Sequence, residues 1–236
     1  MAILLSASCI NAKTLVVYYS FTNNVHTIVN NLHTLIDADV IRIEPAEKGI
    51  DYADNNYAAG SALISAIRNN PNDVASYPAI DPVEVNLDEY DMVIVAAPLW
   101  WSQMAAPLQT FLFQHGKEMK GKRIGLIVSS ASSGISSVVA DAKRLIPQGI
   151  FLEPNLWIRS SQVSNCHSMI EQWLKDIDYT TITSSISAVG SDGEEEVIAR
   201  YNMGGQRIAA EQQIVGISIT LYRKAGKTYS RKSIVK

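Results

Sequence analysis

Little in this chain points to metal or disulfide chemistry. Two cysteines, Cys9 and Cys166, in 236 residues suggest neither a disulfide framework nor a zinc set. His26, His33, His115 and His167 show no metal-ligand spacing, so no metal site is expected. His26 and His33 stand seven apart on an expected helix and read as surface or packing residues. Cys166 adjoins His167, but neighbours on a chain rarely face each other, so Cys166 reads as a half-buried structural thiol. There is no G-x-S-x-G elbow, which argues against a serine hydrolase, and no Walker loop. No segment is long enough and apolar enough to span a bilayer. No residue is assigned a catalytic role.

Charge is sparse and uneven. The formal net charge is −3. Residues 13–178 carry 12 basic and 18 acidic side chains, net −6, and residues 179–236 carry 8 and 5, net +3. Neither part has the dense basic face of a nucleic-acid binder. The mildly acidic main body suits docking to basic redox partners. The length allows one full core and an appendage.

The segment Lys13 to Leu32, KTLVVYYSFTNNVHTIVNNL, is the most informative. An apolar run from Thr14 to Tyr19 leads into a turn of hydroxyl and amide side chains, Ser20, Thr22, Asn23 and Asn24. Val25, Ile28, Val29, Leu32 and Leu35 then repeat at helical spacing. A buried strand, a polar turn and a helix start make an anion site, because first-turn N–H groups lack intrahelical partners and that end of the dipole is positive. No Lys or Arg lies in the turn. A phosphate held there would rest on N–H and O–H groups, without countercharge.

Further strands are expected at Asp39 to Ile43, Met92 to Ala97, Arg123 to Val128 and Leu156 to Arg159. Helices are expected at Ala58 to Ile67, Pro107 to Gln114, Val138 to Ile146 and Met169 to Ile177. Residues 69–82, rich in Asn, Pro and Asp, read as a loop. Alternating strands and helices imply a doubly wound α/β parallel sheet, whose ligands bind beyond the C-terminal strand ends at the switch in strand order. Three polar or aromatic loops follow strand ends: Ser20 to Asn24; Pro98, Leu99, Trp100, Trp101 and Ser102; and Ser129, Ser130, Ala131, Ser132, Ser133 and Gly134. Their coincidence points to one shared pocket. Trp100 and Trp101, being adjacent, point in different directions, so one is expected in the core and one on a ligand.

From Tyr179 the pattern changes. Residues 179–196 read as a linker. Val197 to Tyr201, Arg207 to Ala209, Ile214 to Tyr222 and Thr228 to Val235 then read as strands, forming a small antiparallel β module over residues 197–236. A module this small has little stability unless it packs on something. Residues 1–12, MAILLSASCINA, resemble the end of a secretory signal peptide cleaved after Ala12, although the basic start is missing. Cys9 raises a lipoprotein reading, but Ser6 stands where such signals usually have Leu.

Residues 13–178 resemble flavodoxins, specifically the flavodoxin-like proteins common in Bacteroides and Prevotella. YYSFTNN stands at the place of the phosphate loop, APLWWS at the second flavin loop and SSASSG at the third. The resemblance implies a five-stranded sheet of order 2-1-3-4-5 with FMN at the switch between strands 1 and 3, where flavodoxins carry it. It further implies that Ser20, Thr22, Asn24 and nearby N–H groups hold the phosphate, and that Trp100 or Trp101 stacks on the isoalloxazine. Asn23 replaces the usual Gly of the phosphate loop, a change the loop can accept because Asn tolerates a left-handed backbone. Val25 replaces a usual Thr and removes one hydroxyl contact. The tail, with YNMGGQRI, GISITLYRKAGK and RKSIVK, resembles the C-terminal sorting domains of secreted Bacteroidetes proteins, with Glu211-Gln212-Gln213 in place of the usual Pro.

The expected protein is an FMN-binding flavodoxin that passes electrons between partner proteins, a reductase or an acceptor, and is exported to the periplasm or cell surface. Two alternatives stay open. One is an FMN-dependent NAD(P)H:quinone-type reductase, with oxidoreductase activity of its own. The other is a flavin-free exported scaffold on the same fold. An ordinary cytoplasmic carrier is the alternative to export.

Overall fold

The computed structural model describes residues 13–180, 196–202, 206–208, 216–224 and 227–235. The signal-like residues 1–12 and most of the expected linker lie outside these. The chain divides into two compact units, one within residues 12–184 and the other taking in residues 185–236.

The larger unit is an α/β sandwich of strands β1 (Thr14–Tyr18), β2 (Asp39–Arg42), β3 (Met92–Trp100), β4 (Gln103–Met104), β5 (Arg123–Ser130), β6 (Ile150–Phe151) and β7 (Leu156–Arg159). Its helices are α1 (Asn24–His33), α2 (Asp54–Asn69), α3 (Ala106–His115), α4 (Ser136–Leu145) and α5 (Cys166–Asp176). The sheet runs β2-β1-β3-β5-β6. Parallel register pairs Val16 with Val40 and Ile94, and Val95 with Leu126. The inner strands β1 and β3 are apolar because both their faces are covered: Leu15 to Val17 and Met92 to Ala97 are all inaccessible to solvent. Leu15, Val17 and Tyr19 share one core with Val93, Val95, Leu126 and Phe111. The alternate residues face the other layer, where α1 packs against α5.

Helix α1 follows the expected spacing, burying Val25, Ile28, Val29 and Leu32; Ile36, beyond the helix, is buried in place of Leu35. Cys166 is buried at the start of α5, and burial pushes its thiol pKa up. The fifth sheet position is split. β6 pairs with Arg123 and Ile124, and β7 pairs with Ile127 to Ser130. A two-residue strand between Gly149 and Pro154 carries no readable period, which is why sequence pattern finds only β7. The hydroxyl of Tyr179 meets Thr14 Oγ at 3.0 Å in a buried contact, tying the residues after α5 back onto β1.

The smaller unit is an antiparallel sheet of β8 (Glu196–Asn202), β9 (Arg207–Ile208), β10 (Gly216–Lys224) and β11 (Lys227–Val235), in the order β11-β10-β8-β9. β10 and β11 pair along their whole length, from Gly216 with Val235 to Lys224 with Lys227. Asn202 closes the connection to β9 by accepting from the Gln206 N–H at 3.0 Å.

Candidate functional site

The C-terminal ends of β1, β3, β5 and β7 converge on a cavity of about 320 Å³ in the larger unit. All three expected loops contribute to it: Ser20, Thr22, Asn24 and Val25; Pro98, Leu99, Trp100 and Trp101; Ser129, Ser130 and Ala131. Five expected residues do not line it: Asn23, Ser102, Ser132, Ser133 and Gly134.

At the first loop, Asn23 adopts a left-handed backbone with φ 62°, as an Asn in place of Gly permits. The α1 ladder begins with Thr27 N–H bonding to the Asn23 carbonyl at 2.9 Å. The His26 N–H is capped by Ser20 Oγ at 3.2 Å. The Asn24 and Val25 N–H groups precede the ladder, at the positive end of the helix dipole. The loop itself holds no cation, but β2 brings one alongside. Arg42 Nη2 donates to the Ser20 carbonyl at 3.2 Å while its Nε holds Glu44 at 2.6 Å. That guanidinium continues the β1–β2 ladder one step beyond the strand, after Ile43 N–H has bonded Tyr18 O.

The second loop is a hairpin, in which the strand expected to end at Ala97 runs on to Trp100. β3 continues through Pro98, Leu99 and Trp100, and β4 returns, pairing Leu99 with Met104 and Trp100 with Gln103. Trp101 and Ser102 form the two-residue turn, with φ 50° and 64°. Two left-handed residues in a row suit the right-handed strand twist, and such turns favour Asn-Gly. A left-handed backbone costs a non-Gly residue about 1–2 kcal/mol, and such strain concentrates in turns that grip ligands. Replacing Ser102 by Asn should therefore raise stability by up to about 1 kcal/mol, and replacing it by Val should lower it by about 1–2 kcal/mol. Urea midpoints read this directly; a lower midpoint for the Asn variant would rule out strain at the turn.

The two tryptophans separate. Trp100 packs inward, edge-on to Tyr19 at 5.5 Å and to Phe21 at 6.3 Å, and tilted against Tyr52 at 4.8 Å. Trp101 is 50 % exposed and also lines the cavity. Gly60 of α2 faces Trp100, where a Cβ would make an ordinary contact with the indole at 3.6 Å. Burial raises the pKa of both Tyr19 and Tyr52, so their hydroxyls stay neutral.

Five lining residues escaped the sequence reading as site residues: Phe21, Tyr52, Tyr57, Gly60 and Ser160. Ser160 directly follows β7, so the strand-end rule extended to the last strand finds it. Its Oγ lies 3.4 Å from Asn24 Nδ2 and 3.4 Å from the Ser130 carbonyl, joining the first and third loops. Tyr57 ends a run of three left-handed residues, with Asn55 at φ 48°, Asn56 at 56° and Tyr57 at 62°. Regular helix begins only after it, which is where helical spacing places the start. At the third loop Ser130 is already engaged: its Oγ accepts from Trp157 Nε1 at 2.8 Å and donates to the Ser133 carbonyl at 2.7 Å.

Among the described residues no cluster of three or more His, Cys, Asp or Glu side chains could hold a metal. No helix among them is long and apolar enough to cross a membrane. The cavity therefore offers a helix-start anion cradle and hydroxyls on one side, and aromatic faces on the other. That is the donor set for a phosphate-bearing molecule with a flat ring system.

A family model described as Flavodoxin matches residues 13–177. A candidate flavoprotein from Bacteroides eggerthii DSM 20697 is 24% identical, over 71% of this chain and 99% of its own, with a TM-score of 0.57. A second, from Bacteroides uniformis ATCC 8492, is 24% identical over 70% of this chain and 99% of its own, at 0.56. A flavoprotein in complex with FMN from Lactobacillus acidophilus NCFM is 20% identical over 65% of this chain and 97% of its own, at 0.51. These share the fold of the larger unit. No curated protein matches the chain.

Proposed function

The chain belongs to the flavodoxin family, and from that premise we propose that it binds FMN and transfers electrons between partner proteins. One observation carries the reading: the N–H and hydroxyl groups at the start of α1 and the aromatic hairpin of β3 and β4 open into the same cavity. The same fold holds FMN in the Lactobacillus flavoprotein.

In this reading the Asn24 and Val25 N–H groups, with the hydroxyls of Ser20 and Thr22, hold the phosphate. Backbone N–H groups suit a doubly charged anion because they supply directed positive charge without a competing ion pair. Trp101 stacks on the isoalloxazine from the cavity wall, braced by the Trp100 cluster beneath it. Ser129, Ser130, Ala131 and Ser160 present the polar edge. Bound FMN supplies one- and two-electron redox chemistry, and the protein sets its potential and access. Apolar aromatic walls disfavour charge on the ring, so Trp100, Trp101 and Tyr52 control which redox states are tolerated. The acidic body of the larger unit fits a basic redox partner.

Export completes the proposal. Its support is the signal-like stretch at residues 1–12 and the likeness of the tail to secretion sorting domains. An exported carrier would draw electrons from a membrane or extracytoplasmic donor. Protein purified from the extracytoplasmic fraction of its native host should be yellow, with a flavin spectrum, and should begin near Lys13. A colourless protein would remove the FMN reading, and an intact Met1 on a cytosolic protein would remove export.

A further inference from the structure

A buried carboxylate lies behind the aromatic hairpin. Asp141, on α4, is 7% exposed. Its Oδ2 accepts the Met104 N–H at 2.9 Å, and Arg144 Nη2 reaches its Oδ1 at 3.3 Å. The other backbone group of Met104 is held as well: its carbonyl accepts from Gln109 Nε2 at 2.7 Å. Arg144 ties the two together, donating to Gln109 Oε1 at 2.8 Å and to the Tyr77 hydroxyl at 3.0 Å.

Met104 is half of β4, a strand of two residues that pairs only with the end of β3. So short a strand has little hold on its own register. Side chains from α3 and α4 grip it from behind, and the residues between that grip and β3 are Trp101, Ser102 and Gln103. The next inward positions of α4 are apolar, at Val138, Ala142 and Leu145, so packing alone gives no reason for a carboxylate here. Burial pushes the Asp141 carboxyl pKa up, while the Met104 N–H, Arg144 and the more distant Arg68 pull it back.

We infer that Asp141 is a positioning residue: it fixes the β3–β4 hairpin through the Met104 N–H and so sets the aromatic wall of the cavity. Its effect on cofactor binding rests on the FMN reading; its grip on the hairpin does not. The bond is charge-assisted, so it is stronger than a neutral one, and α4 starts just behind the third loop. Asp141 thereby ties the second loop to the helix that follows the third.

The test uses Asp141→Ala and Asp141→Asn in the full chain, with amide hydrogen exchange and FMN titration. In Asp141→Ala the Met104 amide should exchange about 10- to 150-fold faster, with Val16 and Ile41 of β1 and β2 unchanged. FMN affinity should fall about 3- to 30-fold. Asp141→Asn, whose amide oxygen can still accept the bond but carries no charge, should fall between wild type and Asp141→Ala on both readouts. Wild-type exchange at Met104, or a uniform rise across β1, β2 and β4, would overturn the inference, as would unchanged FMN affinity. If the alanine variant does not fold, Asp141→Glu, which displaces the carboxylate by one methylene, is read in the same way. Failure of wild-type protein to bind FMN would remove the proposed function, while the exchange arm would still decide the role of Asp141.

Discussion

Replacing Ser20 and Thr22 together by alanine should weaken FMN binding by about two to four orders of magnitude. Each hydrogen bond to a charged group contributes about 1.5–3 kcal/mol, and the first loop has no Lys or Arg to compensate. Thr22 is exposed at the cavity wall, so its loss falls on the ligand. Ser20 has a second duty, since its Oγ caps the His26 N–H at 3.2 Å, and losing a cap costs about 1 kcal/mol of helix stability. Riboflavin separates the two effects. It lacks the phosphate, so its affinity should change far less than that of FMN in the double variant. Equal losses for both ligands would mean that the loop had merely collapsed, and unchanged FMN affinity would remove the phosphate assignment. Arg42 sits beside this loop on the Ser20 carbonyl, but Glu44 already holds its charge.

The two tryptophans should fail in opposite ways. Trp100→Ala removes the ring on which Tyr19, Phe21 and Tyr52 converge. Large-to-small aromatic truncations in cores cost about 3–5 kcal/mol, and partial exposure puts Trp100 at the lower end of that range. Trp101→Ala should leave stability within about 0.5 kcal/mol, as for other surface substitutions. Its FMN affinity should fall by about 5- to 150-fold, if stacking on a flavin resembles base–aromatic stacking at about 1–3 kcal/mol. The wild-type holoprotein should show strong quenching of Trp101 fluorescence, absent in the alanine variant. Thermal denaturation and FMN titration together decide the matter. If both variants lose stability equally and bind FMN equally, the tryptophans do not divide between core and ligand.

The strands β1, β3 and β5 are legible in the sequence because a strand covered on both faces must be apolar almost throughout, and runs such as Leu15 to Val17 and Met92 to Ala97 have no other economical reading. Helix α1 is legible from its spacing, and Asn23 from its tolerance of a left-handed backbone. The first loop is nearly complete in sequence because its chemistry is local: strand, turn and helix start follow one another within a dozen residues. The third loop is only partly so, since three of its six residues stand away from the cavity while Ser130 is bonded to Trp157.

Sequence by itself determined the alternation of strands and helices and the order of the three loops. These are consequences of local periodicity and of which side chains a turn tolerates. Tertiary structure decided everything that joins distant segments. It turned Pro98 to Met104 into a hairpin, because β4 is held by Asp141 and Gln109 rather than by any pattern of its own. It left Trp100 packed on Tyr19, Phe21 and Tyr52 and Trp101 exposed in the turn, both at the cavity wall, because Trp100 pairs with Gln103. It brought Tyr52 and Tyr57 to the cavity from a segment whose composition says nothing of it. The physical reason is that a strand-end pocket is closed by side chains from several connections, and only the packing of the sheet sets which of them meet.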